Sequence, residues 1–426
     1  MFASHAHVGV TSFCVVHPAS EEAIPGGPAF ALGVDGAEVE APAAAGGGQV
    51  AVTFDRVLGP GAPQDRVFEE IAAPLVRDAL ERFVSAILVA FGATGGGKTF
   101  AVTGGAARFA DRGLIPRSIS ALFEALGART TRDEFEVSVS FYELYKDSVI
   151  DLLADRRRKV TLQAGGADGP QLVGLLRQRV ATESDAYHLL FQGDSNRHFE
   201  RLPANPETSR GHVFYDLHVA HVPSRRQAVL SFADLADGGG GGGGGGGAPP
   251  GGAATEALVK GVGALKDVLG SMRASRTPRF EASTLTQLLQ PWLRPGPGAR
   301  PMQIALIHPL KYAQQVHEDV YEWLVFARHA REALQGSGEA SSGSGSGRAQ
   351  DTVSVFTKPA SAAVAPSPPP AAATTAAPQA AAAAAEAPSA AAVTAEGGAA
   401  EGSSLPPPWP LPLPPAAATA AATAAA

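Results

Sequence analysis

A short apolar run that ends in a glycine-rich loop constrains this chain more than any other feature. Residues 87–91 read Ile-Leu-Val-Ala-Phe, and the loop that follows matches the P-loop pattern G-x-x-x-x-G-K-[ST] directly after a predicted strand. Glycines allow consecutive backbone N–H groups to turn towards phosphate oxygens without a clash from a Cβ atom. We therefore predict a nucleotide-phosphate site, whose residues are Gly92, Ala93, Thr94, Gly95, Gly96, Gly97, Lys98 and Thr99.

The last two residues of this loop supply a charge and a hydroxyl. Lys98 is expected to reach the β- and γ-phosphates, and the Thr99 hydroxyl is expected to ligate Mg²⁺. A helix predicted to begin here adds its positive N-terminal end. The alternative is a glycine-rich turn that matches by chance, because the chain contains 49 glycines. The strand in front of the loop argues against that alternative.

Composition divides the 426 residues into one domain, 1–334, and a tail, 335–426. The tail is rich in Gly and Ser and then in Ala, Pro and Thr, so it buries too little apolar surface to offset its ordering entropy. We expect it to be disordered. Within the domain, residues 18–48 are predicted to be an irregular insertion, and the ten glycines at 238–247 are predicted to be a flexible loop.

Charge and cysteine content argue against several other classes of protein. The net charge of −7 does not support nucleic-acid binding over the whole surface. The single cysteine, Cys14, rules out an internal disulfide and a multi-cysteine zinc site. No signal-peptide pattern is visible at the N-terminus, and the alanine runs near the C-terminus are too weakly apolar for a membrane span. We expect a soluble intracellular protein.

Strands and helices alternate along the domain. Hydrophobic spacing predicts strands at 8–16, 50–54, 87–91, 135–145, 213–222, 228–232 and 302–307. It predicts helices at 64–83 with an interruption at Pro74, and at 115–126, 184–192, 256–272, 284–293 and 318–334. This alternation around a P-loop predicts an α/β fold with a central sheet.

Two downstream motifs are candidate sensors of the terminal phosphate. Residues 205–212, Asn-Pro-Glu-Thr-Ser-Arg-Gly-His, form a predicted polar loop whose hydroxyls and arginine suit an attacking water and a γ-phosphate. Residues 231–236, Ser-Phe-Ala-Asp-Leu-Ala, form an apolar strand that ends in Asp234, the usual partner of Mg²⁺ beside a P-loop. Alone, the first is compatible with an ordinary turn and the second with a helix N-cap. The order of all three motifs favours a nucleotide site.

These motifs resemble the kinesin motor domain, and the resemblance runs from about Phe13 to Arg331. The P-loop is similar to the family's GQTGSGKT, residues 205–212 to the NxxSSRSH of switch I, and residues 234–236 to the start of the DLAGSE of switch II. Supporting matches lie at 54–58, 113–117, 141–153, 193–197, 283–290 and 318–331. The resemblance implies an α/β P-loop NTPase fold of the kinesin type, with a central mixed sheet flanked by helices. It also implies binding and hydrolysis of Mg-ATP, coupled to microtubule binding and movement.

The resemblance also implies roles for individual residues. Thr208 and Ser209 take the places of the switch I serines that position water and touch the γ-phosphate and the metal. Ser209 and Thr99 would then be the Mg²⁺ ligands. Arg210 takes the switch I arginine position, and Asp234 takes the switch II aspartate position.

The adenine side of the site is less complete. Pro18 matches the proline of the family's RP motif, but His17 stands where that motif has Arg. Phe68 falls near the family's aromatic residue on the nucleotide base. Plain packing of a helix explains Phe68 equally well.

Departures from the family pattern bear on hydrolysis. Asp237 stands in place of the switch II glycine, whose N–H is expected to sense the γ-phosphate, and a carboxylate there would repel that group. The glutamate that pairs with the switch I arginine is absent, and Gly211 replaces a serine. Two hypotheses remain open. One is a motor ATPase, and the other is a degenerate, non-motile nucleotide-binding module with weak or no hydrolysis.

The surface expected to meet tubulin departs as well. In the family's YRDSKLTR segment the basic positions correspond here to Glu281, Thr284 and Gln287. A basic run at 156–159 compensates, although a solvated loop explains it equally well. The basic candidates for the microtubule contact are Arg156, Arg157, Arg158, Lys159, Lys260 and Lys266. No apolar heptads follow the domain, so no coiled-coil dimerisation is predicted, and the expected location is the cytoplasmic cytoskeleton.

Overall fold

The computed structural model describes residues 8–17, 31–32, 38–42, 49–105, 108–155, 158–163, 165, 169–202, 205–209, 211–237, 252–295, 301–311 and 318–336. The strands are β1 (Val8–His17), β2 (Ala31–Leu32), β3 (Glu38–Pro42), β4 (Gln49–Thr53), β5 (Arg56–Leu58), β6 (Ser85–Ala90), β7 (Phe135–Tyr145), β8 (Ser148–Asp151), β9 (Lys159–Gln163), β10 (Gln171–Val173), β11 (Gln178–Val180), β12 (Phe199–Leu202), β13 (Asn205–Ser209), β14 (His212–His221), β15 (Arg226–Asp234) and β16 (Met302–Lys311). The helices are α1 (Gln64–Ile71), α2 (Ala73–Glu81), α3 (Lys98–Val102), α4 (Leu114–Gly127), α5 (Glu183–Ser195), α6 (Gly252–Arg273), α7 (Thr284–Leu293) and α8 (Glu318–Gly336).

One mixed sheet organises these elements. Its 11 strands follow the order β10-β9-β8-β7-β14-β15-β6-β16-β1-β5, with β11 paired to β7. The strands β15, β6, β16, β1 and β5 pair in parallel, whereas β14, β7 and β8 pair antiparallel. The carboxyl ends of the parallel strands therefore meet at one edge, which is where α/β sheets bind ligands.

Helices cover both faces of the sheet, which explains why β6 is almost entirely apolar. Leu88 packs in one buried cluster with side chains of α1, α2, α4 and α5. Its neighbours Ile87 and Val89 pack in the opposite cluster with side chains of α6, α7 and α8. The predicted α/β architecture, a central mixed sheet flanked by helices, is confirmed.

The predicted helix at 64–83 is interrupted, as expected, but not at the proline itself. The break falls at Ala72, and Pro74 lies in the first turn of α2. A proline is tolerated there because the N–H that it lacks would have no partner inside the helix. The other predicted elements that lie in the described residues agree with the observed ones to within a few residues.

Two segments that were predicted to be irregular contain strands, and both predictions are wrong in that respect. Within 18–48, β2 and β3 form a three-stranded sheet with β4. Residues 205–209 form β13, which pairs antiparallel with β12. Backbone hydrogen bonds to a neighbouring strand outweigh a local composition that is typical of turns. The glycine loop at 238–247 and the tail beyond residue 336 lie outside the described residues.

Phe68 lies in the core between the helices and the sheet, with 7% of its surface exposed, which supports the packing explanation over a contact with a base. Among the helices of the described residues, none is long and apolar enough to cross a membrane.

Candidate nucleotide site

The glycine loop leaves β6 in a conformation that needs its glycines. Gly92, Gly95 and Gly97 have φ angles of 140°, 78° and 102°, which is the left-handed region that other residues avoid. A Cβ atom on Gly97 would lie 2.4 Å from Cδ2 of His17 at the end of β1. The backbone of the loop is therefore held close to the carboxyl end of the sheet, and α3 begins directly after it at Lys98.

Lys98 is a cation held inside this loop. It is buried, and its Nζ donates hydrogen bonds to the carbonyl oxygens of Gly92 at 2.7 Å and of Ala93 at 2.9 Å. Burial lowers the pKa of Lys98, and the negative charges of Asp237 and Asp234 oppose that shift. The loop thus places an ammonium group where the oxygens of a phosphate chain would need one.

Thr99 and Asp234 come together across the sheet edge. The Thr99 hydroxyl donates to Oδ2 of Asp234 at 2.8 Å, and Asp234 is almost completely buried. A hydroxyl and a carboxylate at this distance, beside a buried lysine and glycine N–H groups, are hard oxygen donors of the kind that Mg²⁺ prefers. These residues fit a nucleotide with its Mg²⁺ ion.

Arg197 is a member of this cluster to which the sequence analysis gave no role. Its Nη2 lies 3.6 Å from Oδ2 of Asp234, its Nη1 donates to Asp194 at 3.0 Å, and its side chain is buried. The available signal was its place in the segment 193–197, which resembles the residues that precede switch I. The geometry places a second fixed cation beside the predicted metal position.

Switch I is described only in part. Thr208 and Ser209 lie in β13, opposite Glu200 and Phe199 of β12, and their side chains are not described. Arg210 and Pro18 lie outside the described residues. The catalytic roles of Thr208, Ser209 and Arg210, and the adenine-side role of Pro18, therefore stay predictions.

His212, the last residue of switch I, begins β14 and is buried. Burial, and to a smaller extent the positive charge of Lys98, lower its pKa to about 3, so the imidazole is neutral at physiological pH. A neutral His212 adds no charge to a site that is already cationic at Lys98 and Arg197.

The side chain of Asp237 forms hydrogen bonds with the glycine loop. Its Oδ2 accepts hydrogen bonds from the backbone N–H of Thr94 at 3.0 Å and from the Thr94 hydroxyl at 3.3 Å. The sequence predicted that this carboxylate would repel a phosphate. In the structure this carboxylate also accepts a hydrogen bond from one of the loop's own N–H groups.

Glu143 leaves no room for a side chain at position 211. Glu143 is fully buried, and it accepts hydrogen bonds from Nδ1 of His198 at 2.6 Å and from the His198 N–H at 3.2 Å. A Cβ atom on Gly211 would lie 2.5 Å from Cγ and from Oε1 of Glu143. A serine, as the family has at this position, does not fit unless the buried glutamate moves.

Gly211→Ala is therefore expected to destabilise the domain by about 1–3 kcal/mol, the usual cost of overpacking a buried site. Urea unfolding followed by circular dichroism measures the change. Gly263→Ala is the matched control, because Gly263 lies within α6 and its Cβ would meet nothing within 4 Å. That control should be neutral or stabilising by up to about 1 kcal/mol. Equal free energies of unfolding for the two variants would show that Glu143 can move aside at no cost in stability.

The structure separates the basic residues that were predicted to meet tubulin. Lys260 of α6 is exposed and lies 3.8 Å from Asp147, in the turn between β7 and β8. Lys266 faces α8 instead, where its Nζ lies 2.8 Å from Glu322 and 5.6 Å from the centre of the Trp323 ring. Lys266 therefore has partners within the domain that compete with an external one.

The basic run at 156–159 is visible only from Arg158 onward, since Arg156 and Arg157 lie outside the described residues. Arg158 donates to the carbonyl of Gly174 and lies 3.7 Å from the buried Asp151. Lys159 begins β9 and is exposed.

Two further basic residues were not among the predicted tubulin contacts. Arg276 and Arg279 are exposed in the connection between α6 and α7. They lie just before the segment in which Glu281, Thr284 and Gln287 replace the family's basic residues. The spacing of Arg273, Arg276 and Arg279 in the sequence was the available signal, although Arg273 pairs with Glu332 at 3.3 Å.

Solved structures with the same fold are known. The structure is similar to that of a fast kinesin, with a TM-score of 0.63 and 22% identity, covering 76% of this chain and 91% of that one. It is also similar to a KIF14 dimer solved with AMP-PNP in complex with a microtubule, with a TM-score of 0.64 and 22% identity, covering 78% and 94% of the two chains. Likenesses at this level of identity concern the fold.

Sequence comparisons extend to curated relatives. The chain is 27% identical over 284 residues to the kinesin heavy chain of Drosophila melanogaster, which covers 65% of this chain and 28% of that protein. It is 30% identical over 299 residues to the human kinesin-like protein KIF18B, which covers 67% and 34%. The chain thus spans about a third or less of the length of these relatives. The model of the kinesin motor domain matches residues 36–333. This chain belongs to the kinesin motor domain family.

Proposed function

We propose that this chain binds Mg-ATP, hydrolyses it, and couples the nucleotide state to binding of microtubules and to movement along them. The observation that carries the proposal is the Thr99–Asp234 pair, 2.8 Å apart, beside the buried ammonium of Lys98. Kinesin motor domains generally are ATPases, and family membership supports the same activity here. It also favours a motor ATPase over a degenerate, non-motile module.

Each residue of the site would have its own role in binding and hydrolysis. Lys98 would leave the carbonyl oxygens of the loop for the β- and γ-phosphates, since a phosphate is the more strongly charged acceptor. Thr99 and Asp234 would hold Mg²⁺, with Ser209 as the switch I ligand. The bound ion would supply charge neutralisation between the β- and γ-phosphates. Thr208 and Ser209 would orient the attacking water, and Arg210 would steady switch I.

Coupling to microtubules would run through the segment that follows β15. Leu235 is fixed against β6, because its N–H donates to the carbonyl of Ala90 at 3.0 Å. The same segment leads to α6, which carries the exposed Lys260. We propose that switch I, switch II and α6 together couple the nucleotide state to tubulin binding.

The tubulin contact that we propose is small and basic. Tubulin presents an acidic surface, and three exposed basic residues could meet it: Lys260 in the N-terminal half of α6, and Arg276 and Arg279 after the end of α6. Lys266 and the run at 156–159 are further candidates. Charge pairs on a solvated surface are screened beyond a Debye length of about 8 Å at physiological salt, so we expect the contact to be weak and salt-sensitive. The cytoplasmic microtubule cytoskeleton is the corresponding location.

Release of phosphate from ATP, measured with and without microtubules at low salt, tests this function. We expect turnover to rise on addition of microtubules, and the pelleted fraction of protein to differ between AMP-PNP and ADP. Turnover well below the ~1–100 s⁻¹ typical of kinases is expected, because Asp237 replaces the glycine that senses the γ-phosphate. The proposal is wrong if folded protein neither hydrolyses ATP nor pellets with microtubules under any nucleotide.

A further inference from the structure

Asp237 is held by hydrogen bonds from two donors of Thr94, a residue in the middle of the P-loop. It lies three residues after Asp234, on a segment that the Leu235–Ala90 hydrogen bond fixes beside the end of β6. Its position is therefore set by the sheet, and its side chain extends from there to the loop.

The carboxylate makes the contacts that a phosphate oxygen would make. Its Oδ2 accepts from both the N–H and the hydroxyl of Thr94, and its negative charge acts on the buried ammonium of Lys98. Backbone N–H groups and a lysine are the two means by which a P-loop binds phosphate. In the structure both act on Asp237 as well.

The position of the metal ligands decides which phosphate Asp237 would meet. Thr99 and Asp234 would hold Mg²⁺, which would neutralise charge on the β- and γ-phosphates. Because Asp237 reaches the loop from the segment that carries Asp234, it lies on the metal side, where the terminal phosphate of a triphosphate must sit. A diphosphate has no group at that position.

We propose that the Asp237 carboxylate occupies the terminal-phosphate side of the P-loop and makes the site selective for nucleoside diphosphates over triphosphates. The inference rests on the proposed nucleotide function and names a determinant of its ligand specificity. A γ-phosphate must displace the carboxylate from Thr94 and then stay close to it, and two like charges at close range in this half-buried site repel each other. A β-phosphate meets neither cost.

The test compares affinities for Mg-ADP and Mg-AMP-PNP by calorimetry in the wild-type protein and in Asp237→Asn. Asparagine keeps an acceptor for Thr94 and removes the charge. We expect AMP-PNP to bind about tenfold or more tightly in the variant, while the affinity for ADP changes by less than about threefold. Asp237→Gly should shift the same ratio in the same direction, and it decides the matter if the asparagine variant does not fold.

Asp267→Asn is the matched control, because Asp267 is an exposed acid on α6. It should leave both affinities unchanged. Equal changes for the two nucleotides at position 237, or a loss of AMP-PNP affinity as expected of a metal ligand, would overturn this inference and leave the proposed function standing. Absence of binding by either nucleotide to any of the folded proteins would instead overturn the proposed function.

Discussion

Lys98→Ala is expected to weaken the binding of Mg-ADP by about 100-fold or more. The ammonium is buried and lies within 2.9 Å of two loop carbonyls, so the loop is built around this charge. Removing it deletes charge-assisted hydrogen bonds to phosphate, each worth about 1.5–3 kcal/mol, and a tenfold change in affinity corresponds to about 1.4 kcal/mol. Titration calorimetry with ADP measures the loss.

Lys98→Met separates the charge from the packing, because methionine fills much of the volume of the lysine stem without its ammonium. Both variants should bind ADP equally poorly while circular dichroism shows an intact fold. Arg77→Ala, which removes an exposed cation from α2, should bind as the wild type does. Wild-type affinity in Lys98→Met would mean that the loop does not bind phosphate.

The P-loop and the sheet around it could be predicted because their signals are local. An apolar strand, glycines and a Lys-Thr pair lie within 13 consecutive residues, 87–99. Each residue type has the property that its role in the loop requires, so the role can be predicted from the residue alone. The pairing of Thr99 with Asp234 was also within reach. Asp234 ends β15, and Thr99 follows the loop at the carboxyl end of β6, the parallel neighbour of β15.

Other parts of the site depend on contacts that no local pattern encodes. The strand β13 forms because β12 offers a partner, although its sequence is typical of a turn. Glu143 lies 68 residues before Gly211, and only the pairing of β7 with β14 brings them together. Arg197 follows α5 and lies next to Asp234, 37 residues later in the chain. The residues around Arg197 in the sequence give no sign of this contact.

Asp234→Asn is expected to lower ATP turnover by about 100-fold or more while leaving the fold intact. Asn keeps an oxygen that can accept from Thr99, so the hydrogen bond across the sheet edge survives. The negative charge is lost, and with it the attraction for Mg²⁺, whose neutralisation of developing charge is worth several kcal/mol at about 1.4 kcal/mol per tenfold in rate. Arg197 also loses a charged neighbour at 3.6 Å, although Asp194 remains within hydrogen-bonding distance.

Phosphate release in a Mg²⁺ titration with saturating microtubules distinguishes this loss from a general defect. In Asp234→Asn the half-maximal rate should require a higher Mg²⁺ concentration than in the wild type, and the maximal rate should stay low. Glu81→Gln, which removes an exposed acid from α2, controls for the loss of one negative charge and should follow the wild-type curve. If the Asp234→Asn curve coincides with the wild-type curve, Asp234 does not help to bind Mg²⁺, and the proposal that it shares the ion with Thr99 is wrong.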